Sequence, residues 1–155
     1  MLDDSGFLPE GVHDLSLEEI EENFGRFNGS DQRCRLFEKL ADYFEKLSRF
    51  QWFVELIVDG SFVTAKQVPG DIDLVVVVDL KHLSEDNMLP VEYNLLSKGR
   101  ALRGFGFDVF WAPEDSSALK SYLDFFSQVR GAETRKGIIR LTNPRIRKQP
   151  RGVAK

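Results

Sequence analysis

Apolar residues recur along this chain with two different periods, and the switches between them outline its elements. Leu36, Phe37, Leu40, Tyr43, Phe44 and Leu47 fall at helical spacing, which predicts a long helix. Ser30 or Asp31 can cap it, after a break at Asn28-Gly29-Ser30. A shorter helix opens where Ser16 and Glu19 form a capping box, and runs to about Phe24. Trp52 to Val58 reads as a strand ended by Asp59-Gly60. Ile72 to Val78 reads as a second strand, apolar on both faces from Val75 to Val78, as in a sheet covered on both sides. Pro90 precedes a helix of roughly Val91 to Leu102, and Phe105 to Trp111 is a third strand punctuated by Gly104 and Gly106. Ser116 or Ser117 caps a helix to about Val129, and Gly137 to Leu141 is the last predicted strand.

The segment from Gly60 to Gly70 is too short for a crossover helix, so the first two strands are expected to be antiparallel. The predicted class is α+β, a small mixed or antiparallel β-sheet with flanking helices. A chain of 155 residues suits one domain, here residues 1–144, followed by a basic tail over 145–155. Thirteen phenylalanines add to the expectation of a well-packed core.

Composition narrows the functional classes. No apolar run approaches the ~20 residues of a membrane span, and the acidic stretch from Met1 to Glu10 lacks a signal-peptide pattern. The single cysteine, Cys34, cannot make an internal disulfide and is expected to pack on its helix. Cytoplasmic location and no membrane partner are the expectations. A net charge of −4 argues against nucleic-acid binding by the protein's overall field. The tail differs, with Arg145, Arg147, Lys148, Arg151 and Lys155 and no acid. It reads either as a solvated terminus or as a basic arm for RNA.

Candidate chemistry concentrates between Asp59 and Asp73. Side chains alternate along a strand, so Asp71 and Asp73 point the same way, less than ~7 Å apart along the backbone. Two carboxylates at the mouth of the most apolar strand repel, and a divalent cation relieves that repulsion. Oxygen-only ligands favour Mg²⁺ or Mn²⁺ over zinc. Asp108 stands in the strand Phe107-Asp108-Val109-Phe110-Trp111. If that strand lies beside Ile72 to Val78, its carboxylate completes a cluster of the kind in-line displacement uses. Gly60 permits a tight turn, and a short helix over Phe62 to Lys66 would offer N–H groups, with the Ser61 hydroxyl, to phosphate oxygens.

Gly60-Ser61, nine residues, then Asp71-Ile72-Asp73, with Asp108 in a later strand, resembles the nucleotidyltransferase superfamily of DNA polymerase beta. The small size resembles its minimal branch, found in toxin–antitoxin pairs. The resemblance spans about Trp52 to Trp111 and implies a nucleotidyltransferase fold. It further implies that Gly60 and Ser61, with Thr64 and Lys66, hold a nucleoside triphosphate. Asp71, Asp73 and Asp108 would bind Mg²⁺ or Mn²⁺, and Asp108 would help deprotonate the attacking hydroxyl. Thr64 stands where many minimal relatives carry an arginine, leaving Lys66 as the cation, and Gly70 where they often carry serine.

Three functions are expected from such a chain: transfer of a nucleoside monophosphate, AMP first, to a hydroxyl of a toxin-like partner protein; addition of nucleotides to an RNA end; or non-catalytic binding of a partner. Other polar residues have plainer readings. Asp59 and Asp79 are expected in turns, Glu55 toward solvent or a basic partner, and His13 and His82 in loops. Arg135, Lys136 and Arg140 surround the last strand, as solvated charges or with one of them on a phosphate.

Overall fold

The computed structural model describes residues 2–4, 6–25, 31–66, 69–83, 89–97, 107–129 and 135–146. Five strands make one sheet: β1 (Gly11–Asp14), β2 (Phe53–Asp59), β3 (Ile72–Val78), β4 (Phe107–Pro113) and β5 (Gly137–Thr142). Their order across the sheet is β1-β5-β2-β3-β4. β2 runs antiparallel to both β3 and β5, whereas β1–β5 and β3–β4 are parallel pairs. The sheet is therefore mixed, and the short loop after β2 does return an antiparallel neighbour.

Four helices flank it: α1 (Leu17–Ile20), α2 (Asp31–Leu47), α3 (Pro90–Leu96) and α4 (Ser117–Phe126). The expected capping box starts α1, with Glu19 N–H donating to Ser16 Oγ at 3.1 Å and Ser16 N–H to Glu19 Oε1 at 3.0 Å. The chain then continues as a π-helical turn over Glu21–Gly25. Ser116 caps α4 by accepting the Leu119 N–H at 3.1 Å. Pro90 is the first residue of α3, whose start is tied by Leu89 N–H donating to Glu92 Oε1 at 3.2 Å. The other oxygen of Glu92 accepts the Trp52 indole N–H at 2.6 Å.

Alternation sorts the strand residues onto two faces. One face presents Leu56, Val58, Ile72, Leu74, Val76, Val78, Phe107, Val109, Ile139 and Leu141. They form a single buried cluster with Ile20 and Phe24, with Leu36, Leu40, Tyr43, Phe44 and Leu47 of α2, and with Leu95 and Leu96 of α3. The other face carries a smaller cluster in which Ile57, Val75, Val77, Ala112 and Ile138 meet Leu119 and Phe126 of α4. β3 is covered on both sides, as its apolar run predicts. No helix among the described residues is long and apolar enough to cross a membrane.

Several expectations change. β1 has no counterpart in the sequence reading, and it takes His13 out of a loop into a strand, its Nε2 2.6 Å from the Pro9 carbonyl. Glu55 is buried at 2% exposure, because the smaller face is covered too. Cys34 lies on the exposed side of α2 and does not pack. The predicted helix end at residues 98–102, the strand start at 104–106 and the tail over 147–155 lie outside the described residues.

Candidate functional site

β2 ends at Asp59, and Gly60 turns the chain with a φ of +97°. A Cβ there would meet the Asp71 carbonyl oxygen at 2.9 Å and the Asp73 nitrogen and Ile72 Cα at 3.0 Å each. The left-handed conformation and the press of backbone both demand glycine. Ser61–Val63 follows as one 3₁₀ turn, shorter than the helix expected over Phe62 to Lys66.

Behind this turn sits a cation that the sequence reading missed. Arg33 of α2 is fully buried and donates to four backbone carbonyls. Its Nη1 reaches Phe62 O at 2.8 Å and Phe24 O at 3.2 Å, its Nη2 Thr64 O at 2.6 Å, and its Nε Lys66 O at 3.1 Å. The rigid fork of guanidinium donors suits several carbonyls at once. Its carbon also lies 5.6 Å from the centre of the Phe62 ring, within cation–π range. The available signal was an arginine at helical spacing from Leu36 and Leu40, inside an apolar stripe.

The acidic residues line up across the sheet. Asp59 of β2 pairs with Asp73 of β3, and Asp73 with Asp108 of β4. Three adjacent strands thus place aspartates side by side on one face, at strand spacings of about 5 Å. The strand that carries Asp108 does lie beside β3, which sets Asp108 next to Asp73. Asp59 is the surprise: it is a buried strand residue, not a turn residue. Both its oxygens accept from Lys136 Nζ, at 3.0 and 3.2 Å. Asp79 does sit in a turn, accepting the Lys81 N–H at 2.9 Å.

Burial and mutual repulsion raise two of these acids. Burial pushes Asp73 up to about 6, the charges of Asp71 and Asp108 add to that rise, and Lys136 opposes it. Burial likewise pushes Asp59 up to about 6, against the charge and hydrogen bond of Lys136, with Asp73 adding to the rise. Lys136 is thus the cation beside an acidic row, and desolvation outweighs its help.

Asp71 is turned differently. Its Oδ1 accepts the Ser61 N–H at 2.9 Å and the Ser61 hydroxyl proton. Ser61 Oγ in turn accepts from Gly70 N–H at 3.0 Å and Asp71 N–H at 3.2 Å. Other groups expected for a phosphate are also engaged. Phe62 N–H donates to Asp71 O at 3.2 Å, Val63 N–H to Gly60 O at 3.1 Å, and Ala65 N–H to Gly6 O at 2.9 Å. Thr64 Oγ1 donates to Ser61 O at 2.6 Å and accepts the Lys66 N–H at 3.2 Å. Lys66 is exposed.

Among the described residues no three His, Cys, Asp or Glu side chains are already drawn together as ligands of one ion. The donor set is nevertheless all oxygen, and the cost of ionising Asp73 beside two carboxylates is one that a hard divalent cation would relieve. Asp71, Asp73 and Asp108 therefore fit Mg²⁺ or Mn²⁺ in chemistry.

A mixed α+β sheet with an acidic row beside a glycine turn is the class these observations define. The chain belongs to the family described as DUF6932, a family of unknown function, whose model matches residues 1–142. Comparison with curated proteins and with solved structures gave no match.

Proposed function

We propose that this protein is a metal-dependent nucleotidyltransferase of the DNA polymerase beta-like fold. It would move a nucleoside monophosphate, AMP first among those to test, from a triphosphate to a hydroxyl of a partner protein. The observation that supports this reading best is the in-register row Asp59, Asp73 and Asp108, ending beside the Gly60-Ser61 turn and Asp71.

In this reading Asp71, Asp73 and Asp108 hold the cation. When bound, Mg²⁺ or Mn²⁺ would supply neutralisation of the phosphate charge. Gly60 keeps the backbone close, and Ser61 offers its N–H and hydroxyl to phosphate oxygens. Asp108, exposed at the end of the row, takes the proton of the acceptor hydroxyl as its oxygen bonds to the α-phosphorus. The bond from that phosphorus to the bridging oxygen breaks, and pyrophosphate leaves. Such chemistry needs positioning and charge neutralisation more than a protein nucleophile.

The test is incubation with each radiolabelled nucleoside triphosphate, Mg²⁺ and cell lysate. Label on a protein is the expected result, and label on RNA would redirect the acceptor. Asp108→Asn should retain triphosphate binding and lose transfer. A protein that binds no triphosphate in Mg²⁺ or Mn²⁺, alone or with lysate, would sink the reading.

A further inference from the structure

The Gly60-Ser61 turn already holds an anion, and that anion belongs to the protein. One oxygen of Asp71 takes both donors of Ser61, the N–H at 2.9 Å and the hydroxyl. These are the two groups the proposed function assigns to a phosphate. The same carboxylate is also assigned to the cation, yet among the described residues no three such side chains are gathered as ion ligands.

We infer that Asp71 is shared between two partners: without ligand its carboxylate stands in for a phosphate on Ser61, and a polyphosphate that displaces it there frees it for the cation beside Asp73 and Asp108, so that polyphosphate and cation bind with positive coupling. This rests on the nucleotidyltransferase reading and adds to it a coupling between its two ligands. The exchange is chemically even, because each hydrogen bond that Asp71 gives up is accepted by a phosphate oxygen. Asp71 is exposed, so its side chain can turn without disturbing the core. Gly60 and the Arg33 clamp fix the backbone of the turn, which leaves the side chain as the moving part. Coupling of this kind is reciprocal, so either ligand can report it.

The first arm measures Mn²⁺ alone, by electron paramagnetic resonance with no nucleotide present. Ser61→Ala removes one hydrogen bond to a charged group, and Mn²⁺ should bind about tenfold tighter than in the wild type. If Ser61 serves phosphate only, Mn²⁺ affinity stays unchanged and the inference fails. Ser61 Oγ also holds the Gly70 and Asp71 N–H groups, so a second arm leaves Ser61 intact. Tripolyphosphate is titrated calorimetrically in EDTA into Asp71→Ala, with Asp108→Ala as the control for loss of one negative charge. Asp71→Ala should gain about tenfold over the wild type, and several-fold more than the control. A gain no larger than the control overturns the sharing. A wild type that takes up neither Mn²⁺ nor tripolyphosphate, singly or together, removes the nucleotidyltransferase reading itself. Uptake of both ligands by the wild type without the two gains removes only the coupling.

Discussion

Asp73 and Leu74 are neighbours in the chain and lie on opposite faces of one strand, and the two faces do different work. Leu74 is fully buried in the large cluster beneath α1, α2 and α3. Asp73 is half-buried on the face that α4 covers, flanked by Asp59 and Asp108. The large face carries aliphatic and aromatic side chains from four strands, and the other carries Asp59, Asp73, Asp108, Glu55 and Arg140 among a smaller apolar set. Stability that comes mainly from one face leaves the other free to hold charges that cost stability.

Substitutions can break or sharpen that contrast. The largest effect should come from Leu74→Ala, which opens a cavity in the main cluster and should cost about 2–5 kcal/mol in urea denaturation. Equal stability would mean the large face is not the one that carries the fold.

Lys136→Met should come next, at about 3 kcal/mol near pH 8, because it leaves Asp59 buried without its cation. The pH dependence has a definite sign. Asp59 stands at about 6 in the fold, above the ordinary 3.8, and loss of Lys136 raises it further. The cost of ionised Asp59 is therefore fully present above its folded pKa and relieved as pH falls toward the unfolded value. The gap between variant and wild type should be wide at pH 8 and narrow at pH 5. A constant gap would place the role of Lys136 in packing.

Asp73→Asn should change stability by only about 1 kcal/mol, and in the stabilising direction, since it removes repulsion from Asp71 and Asp108. Transfer activity should fall at least a hundredfold, on the order of the loss of one electrostatic partner at a phosphoryl group. Unfolding of this variant would make the carboxylate structural. The smallest effect is expected of Cys34→Ser on the exposed side of α2, within about 0.5 kcal/mol.

What the sequence revealed followed the range of the interaction involved. β3 was legible to the residue, because Ile72 and the apolar run Leu74 to Val78 stand between Gly70 and Asp79. The Ser16 box and the α2 stripe were legible because their partners are three to seven residues away. β1 was not, since Gly11-Val12-His13-Asp14 shows no apolar alternation and becomes a strand only through β5. The place of Asp108 beside Asp73 was legible from the cost of a charge in a strand, whereas the strand period set Asp71 with Asp73 and the structure instead turns Asp71, which precedes β3, onto Ser61. Asp59 looks like a turn residue in the sequence because Gly60 follows it, and its partner Lys136 lies in a distant part of the chain. Glu55 misled for a related reason. A polar residue in alternation usually faces solvent, but this sheet is covered on both sides, and the charge of Arg140 bears on it inside.

The strand order has a consequence for how the protein is made. Of these five strands β5 is the last to leave the ribosome, yet it sits between β1 and β2. The β2–β3–β4 half can assemble during synthesis, while the edge of β2 that β5 will cover stays open and β1 has no partner at all. Completion of the sheet thus waits on Gly137–Thr142, and pairing so distant in sequence is slow compared with hairpin formation. Until then Phe53–Asp59 exposes a largely apolar strand edge to other chains, the condition under which nascent proteins aggregate.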